Sequence, residues 1–330
     1  MNEFCLEIRS ANKSFPGVKA LDQASFRLRK GSIHALLGEN GAGKSTLIKI
    51  ITGVHKQDSG KLFINGKEET LNNPNDATKF GISVVHQERN LIRRFSVGEN
   101  LMLNNLPKTP LGLIDYDEIT IKSKKWLEMM DLDIDPKTVV SELTVAKMQL
   151  CEIAKALSLK AKILLLDEPT SSLSPQESEN LFTLLKKIVR DEGVSIVFVS
   201  HKLEEVFNIC DDVTVLRDGE NACTSEDIKN LDRQKLVRLM IGRDEQIVKS
   251  ARKIKNAKDT ILALRNVKTE LGHRNIDLEL NRSEIIGLYG LVGAGRTELM
   301  KCLIGQDKIT DGDVIVNGKK VTINSPKTAL

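Results

Sequence analysis

An open α/β sheet is the fold this sequence predicts, and three observations predict it. Short apolar, β-branched runs, "SIHALL" (Ser32 to Leu37), "KILLLD" (Lys162 to Asp167) and "VSIVFVS" (Val194 to Ser200), read as strands buried on both faces, as in a parallel sheet. Between the last two, "ENLFTLLKKIVRD" (Glu179 to Asp191) places apolar residues at helical spacing. A glycine-rich loop joins the first run to "TLIKIITG", which reads as a helix closed by Gly53. Strand and helix signals that alternate in this way indicate helices packed on a mostly parallel sheet. Residues 96–159 read as mainly helical and supply no obvious strand, so they are assigned to a helical insertion.

Composition narrows the possibilities. A chain of 330 residues has room for two domains, or for one and a half, and 40% hydrophobic with 28% charged residues is ordinary for a packed globule. The net charge of +4 is small for this length and argues against nucleic acid as the main partner. Arg93-Arg94 and the lysines from Lys122 to Lys125 read as solvated faces. Five scattered cysteines with no C-x-x-C pair suit a reducing compartment and speak against a disulfide framework or a zinc site. The start, "MNEFCLEIRS", lacks a signal-peptide pattern. No apolar run approaches the roughly 18 residues of a membrane span, so the chain is expected to be soluble and cytosolic.

Along the chain, the first residue with a chemical reading is Phe15, just before Pro16-Gly17. It is either a stacking surface for a base or a packed aromatic. Gly38, Glu39, Asn40, Gly41, Ala42, Gly43, Lys44 and Ser45, followed by Thr46, match G-x-x-x-x-G-K-[ST]. Glycines there let successive backbone N–H groups turn toward phosphate oxygens at the positive end of a helix dipole. Lys44 would reach the β- and γ-phosphates, and the Ser45 hydroxyl would bind Mg²⁺. In "ILLLDEP", Asp167 ends an apolar strand where its carboxylate can hold Mg²⁺, and Glu168 follows, placed to polarise a water. Gln87 and His201 each follow a strand at the sheet edge where α/β folds bind ligands. As lone residues at strand ends they are more often structural.

The chain also repeats itself. "GENGAGKSTL" from Gly38 returns as "GLVGAGRTEL" from Gly290, an offset of 252 that also aligns "INGK" with "VNGK" and carries Pro74 onto Pro326. Upstream the offset is near 256, which places a length change around residues 12 to 20. Residues 1–243 thus form a first copy and the charged stretch 244–259 a linker. Residues 260–330 form the N-terminal part of a second copy, which stops at the equivalent of Thr78. In that copy Arg296 stands where the first has Lys44, a broad planar fork in place of a slim point charge.

Together, "GENGAGKST", the glutamine of "VVHQE", "LLLDEPTSSLS" and "VFVSHKLEEV", in that order, resemble an ATP-binding cassette (ABC) protein. The resemblance implies a RecA-like P-loop NTPase core with antiparallel β and helical subdomains, working on ATP with Mg²⁺. It implies that Glu168 is the catalytic base, that His201 contacts the γ-phosphate and that Phe15 stacks on adenine. Gln87 would contact Mg²⁺ and sense the membrane partner.

"EIAKALS", "LMIGR" and "GLVGAGRTELM" are most similar to the tandem-cassette ATPases of bacterial sugar importers, of the ribose, galactose, arabinose and xylose type. The partners so implied are transmembrane permease subunits, reached through Arg93, Arg94 and Phe95, and, indirectly, a periplasmic sugar-binding protein. The implied location is peripheral, on the cytoplasmic face of the inner membrane.

The pattern also departs from the family. The signature, usually L-S-G-G-Q, aligns with Leu143-Thr144-Val145-Ala146-Lys147, and Ser174 replaces an aspartate. In the head-to-tail pairing of such cassettes within a tandem, Arg296 and this altered signature fall in one composite site; the alternative partner for the first cassette is a second copy of it in a homodimer. That implies one hydrolytic site and one degenerate site. The stop at Leu330 is expected to be a truncation of a longer tandem protein. The competing readings are a non-hydrolysing nucleotide-binding remnant and a soluble tandem ABC protein acting on ribosomes or nucleic acid.

Overall fold

The computed structural model describes residues 3–86, 90–242, 259–290 and 294–330. The chain divides into two compact units, Met1–Gln246 and Ile247–Leu330.

The first unit opens with a long hairpin, β1 (Phe4–Phe15) and β2 (Val18–Arg29), followed by β3 (Ile33–Leu37) and helix α1 (Lys44–Ile51). Then come β4 (Ser59–Ile64), β5 (Lys67–Glu69), α2 (Pro74–Lys79) and β6 (Ile82–Val85). Three helices, α3 (Val97–Met102), α4 (Tyr116–Met129) and α5 (Val145–Ser158), occupy the stretch expected to be a helical insertion. The chain then alternates through β7 (Ile163–Asp167), α6 (Pro175–Glu192), β8 (Ser195–Val199) and α7 (Leu203–Ile209). It finishes with β9 (Asp212–Arg217), β10 (Glu220–Asp227) and α8 (Arg233–Ile241).

Two sheets result. Strands β2-β1-β4-β5 make an antiparallel sheet, and β10-β9-β3-β8-β7-β6 make the central one. In the central sheet β9, β3, β8, β7 and β6 run parallel and only β10 pairs antiparallel. Every residue of β3 and of β8 is buried, as continuous apolar runs covered on both faces require. One apolar cluster joins this sheet to the three inserted helices, and another packs the antiparallel sheet and α1 against its other side.

Local chemistry sets the helix ends. Ser174 and Glu177 form a reciprocal capping box at α6, Pro175 takes its first position and Gly193, in a left-handed conformation, closes it. Ser96 with Glu99 does the same for α3.

The second unit contains β11 (Thr260–Thr269), β12 (Ile276–Asn281), α9 (Arg296–Leu303), β13 (Ile309–Val316), β14 (Lys319–Val321) and α10 (Pro326–Ala329). Its sheet, β12-β11-β13-β14, repeats the order of the first antiparallel sheet and packs Leu264, Val267, Leu299 and Val314 together. The hairpin β11–β12 runs from Thr260 to Asn281, four residues shorter than Phe4 to Arg29, so the register slip falls in this hairpin.

Candidate nucleotide site

The loop after β3 is shaped by backbone that only glycine tolerates. Gly38 has φ +147°, and a Cβ there would lie 2.3 Å from the Leu216 carbonyl oxygen. Gly43, at φ +102°, caps α1 without any side-chain hydrogen bond, and its Cβ would meet the Ala20 carbonyl oxygen at 2.6 Å. The first N–H groups of α1 therefore face the loop with no capping side chain to take them up, which is the arrangement that receives an anion. Lys44 curls over the same loop, donating to the carbonyl oxygens of Gly38 at 2.8 Å and Glu39 at 2.9 Å.

Opposite the loop, β7 ends at Asp167, and Glu168 turns away with φ +47°. Such a conformation is costly for a non-glycine residue and recurs at functional sites. It is held by the Glu168 N–H donating to the Val199 carbonyl at 3.0 Å. β8 delivers Ser200 and His201 alongside, so that His201 Nδ1 lies 3.1 Å from Glu168 Oε1. Gly38, Glu39, Asn40, Lys44, Glu168, Ser200, His201 and Met240 line one open cavity of about 470 Å³.

Electrostatics follow from burial. Burial lowers the Lys44 pKa, and the negative charges of Asp167 and Glu168 partly offset that. Burial, and then repulsion from Glu168, raise the Asp167 pKa, while His86 and Lys44 pull it down. A cation placed beside Asp167 would relieve this strain. Among the described residues no group of three or more His, Cys, Asp or Glu side chains is arranged to hold a metal ion by itself.

The sequence-selected residues are distributed unevenly around this cavity. Lys44, Glu168, His201, Gly38, Glu39 and Asn40 line it. Gly41, Ala42, Gly43, Ser45, Thr46 and Asp167 belong to the same loop, helix start and strand end. Phe15 sits at the tip of the β1–β2 hairpin and is not among the lining residues. It is 38% exposed, and its ring meets His55 edge-on at 5.3 Å. Gln87 lies outside the described residues. The stretch aligned with the signature forms the N-terminus of α5, with Thr144 as its cap and Val145, Ala146 and Lys147 as the first turn. Ser174, in place of the expected aspartate, is the N-cap of α6, a position that serine and aspartate fill about equally well.

Sequence reasoning assigned no role to Ser200 or Met240, which complete the lining. Ser200 is adjacent to His201, and Met240 falls in "LMIGR".

In the second unit Gly295 caps α9 in a left-handed conformation and Arg296 is its first residue, the place Lys44 takes in α1. His273 supports that turn, its Nε2 lying 2.8 Å from the Gly295 carbonyl oxygen and its Nδ1 2.6 Å from Thr269 Oγ1.

A phosphate loop at the end of a central parallel strand, faced by an acidic strand end and a histidine, defines a P-loop nucleotide-binding cassette. The chain belongs to the ABC transporter family, whose model matches residues 21–171 and 273–329. It is 41% identical over 325 residues to the arabinose import ATP-binding protein AraG of Vibrio parahaemolyticus, covering 98% of this chain and 64% of that protein. It is 43% identical over 331 residues to the galactose/methyl galactoside import ATP-binding protein MglA 1 of Photobacterium profundum, covering 100% and 66% respectively. The chain thus spans about two thirds of the length of these relatives.

Among solved structures, a nucleotide-free ATP-binding cassette from an ABC transporter superposes with a TM-score of 0.64 at 27% identity. That match takes in 73% of this chain and 100% of the other. The ADP conformation of an ABC transporter cassette gives 0.63 at 28% identity, with the same coverage.

Proposed function

We propose that this chain is the ATP-binding and ATP-hydrolysing part of a bacterial monosaccharide importer, energising transport through a separate membrane permease. The single observation that carries the reading is the gathering of Lys44, Glu168 and His201 around one cavity at the end of β3. In the proposed mechanism the loop N–H groups and Lys44 bind the phosphates, and Lys44 exchanges its two carbonyl partners for phosphate oxygens. Ser45 and Asp167 offer the hard oxygen donors that suit Mg²⁺. That ion, when bound, neutralises charge on the phosphates. Glu168 accepts the proton of the attacking water, and His201, in contact with it, orients toward the γ-phosphate. Phe15 would stack on adenine, with Gln87 linking the metal to the permease.

Residues 1–243 are read as a complete first cassette, 244–259 as a linker and 260–330 as the beginning of a second, degenerate one. In the whole tandem protein, Arg296 and the substituted signature at Val145 and Ala146 would share the weaker composite site. The sugar-import names of the relatives support the transport assignment. No described helix is long and apolar enough to cross a membrane, which fits a subunit peripheral to the cytoplasmic face. A periplasmic sugar-binding protein would deliver the cargo.

The test is turnover of Mg·ATP by the chain and by Glu168→Gln. The variant should bind nucleotide and lose about two to four orders of magnitude in kcat. An unchanged rate would remove Glu168 from the role of base.

A further inference from the structure

We infer that Glu205 is a positioning residue that clamps together the two loops carrying Glu168 and His201. The inference rests on the hydrolytic reading of those two residues. Glu205 lies in the first turn of α7 and is 8% exposed. Three donors converge on its carboxylate. The Thr170 hydroxyl is 2.8 Å from both oxygens, the Ser200 hydroxyl donates to Oε2 at 2.8 Å, and Lys202 Nζ lies 3.0 Å from Oε1. A carboxylate this buried is stable only with such charge-assisted bonds.

What matters is where the donors come from. Thr170 is two residues past Glu168, on the segment leaving β7. Ser200 immediately precedes His201, on the segment leaving β8. Glu205 thus ties the loop of the base to the loop of the histidine, and the two tips meet at the 3.1 Å contact between His201 Nδ1 and Glu168 Oε1. The Ser200 oxygen also accepts the Lys202 N–H at 3.1 Å, so the clamp fixes the backbone on either side of His201.

A carboxylate, which presents acceptors to all three donors, suits this place better than an amide. An NH₂ in place of Oε1 would point a donor at the Lys202 ammonium. In place of Oε2 it would point a donor at the Ser200 O–H, which would have to turn away and give up its acceptor. The network lies outside the nucleotide cavity apart from Ser200, so it acts through geometry rather than by touching substrate.

The experiment compares wild type, Glu205→Gln, Glu205→Asp and Thr170→Val by steady-state ATP turnover, thermal melting and amide hydrogen exchange. Misplacing a base by an ångström costs up to about a hundredfold, so Glu205→Gln should lower kcat by about ten- to a hundredfold with KM for Mg·ATP within about twofold. Thr170→Val should show the same split more weakly, and Glu205→Asp, which keeps the acid, should recover part of the rate. Exchange should quicken together in residues 168–173 and 200–205.

A merely structural role would instead raise KM, lower Tm and loosen α7 alone, and that result overturns the inference. So does a Glu205→Gln rate within twofold of wild type with exchange in 168–173 unchanged. If Glu205→Gln does not fold, Thr170→Val carries the same test. If wild type turns over no ATP, the functional reading falls, while the exchange data still decide the clamp.

Discussion

Acid should unfold the first unit through a histidine that has no part in the chemistry. His34 is the second residue of β3, fully buried, with its ring edge against Phe26 at 4.7 Å between centroids. Its Nε2 lies 2.9 Å from Thr214 Oγ1, which already accepts the Ser225 N–H at 3.0 Å, and its Nδ1 reaches no hydrogen-bond partner. Protonation would give that ring a second N–H with nowhere to donate. Burial, aided by the positive charge of Arg29, lowers its pKa from 6.5 to about 3.

Between those values the unfolded chain holds a proton that the folded chain does not, so stability rises with pH through the window. The contribution is complete above about 6.5 and is lost as pH falls toward about 3. At 1.36 kcal/mol for each pH unit below 6.5, the loss from this one group is about 2 kcal/mol at pH 5, and about 5 kcal/mol at most near pH 3. Urea melts of wild type and His34→Ile at pH 7.5 and pH 5 measure it. Isoleucine is chosen because Ile286 stands at the equivalent place in the second copy. Asp212 and Arg29, which also titrate or interact nearby, are common to both proteins and cancel in the difference. Wild type should lose about 2 kcal/mol more than the variant between the two pH values. Parallel pH dependences would refute the argument, because they would mean that the buried ring is already charged or already solvated.

Other substitutions test the site and its frame. Gly43→Ala should weaken Mg·ATP binding at least tenfold by calorimetry and cost about 1–3 kcal/mol, because φ +102° and a 2.6 Å approach to Ala20 exclude a Cβ. Full retention of binding would show that the loop can reshape. Ser174→Ala removes the α6 capping box and should lower stability by about 1 kcal/mol in urea, with an unchanged midpoint as the contrary result. Arg296→Ala, placed in a full tandem protein, should leave most ATP turnover intact, and near-total loss would refute the division into one competent and one degenerate site.

Much of the central sheet was legible because its strands are buried on both faces. "SIHALL", "KILLLD" and "VSIVFVS" need no neighbouring context to read as strands, and they became β3, β7 and β8. The phosphate loop was legible because Gly38 and Gly43 answer to local backbone geometry. Contacts made only by the fold were not legible. Thr170 and Glu205 are 35 residues apart, and Met240 reaches the cavity from the last helix of the unit. Phe15, for which the sequence leaves a stacking surface and a packed aromatic both open, is only partly packed. One side leans on His55 while more than a third of the residue stays open. Ser174, a departure in the family pattern, keeps the capping function that an aspartate would have.

The two copies also separate what a sequence segment carries from what its neighbours supply. At the offset of 252, Ile285 to Tyr289 corresponds to Ile33 to Leu37, and both runs are mainly apolar, that of the first copy interrupted by His34. Ile33–Leu37 is a fully buried strand because β8 pairs with one of its edges and β9 with the other. In the second unit Ile285 to Tyr289 forms no strand, and Ile285 is 85% and Tyr289 99% exposed. The antiparallel sheet behaves differently. β11, β12, β13 and β14 pair only with one another, and they form the same sheet as their counterparts in the first unit. Within one chain, then, the antiparallel strands find their partners inside the same unit, the pairing of Leu262 with Val316 being among the most distant. In the first unit the strand at the middle of the parallel sheet takes its partners from more than 150 residues away, as Ile33 pairs with Ile196. The phosphate loop hangs from the end of that strand, so the shape of the first loop depends on residues that a motif search never inspects.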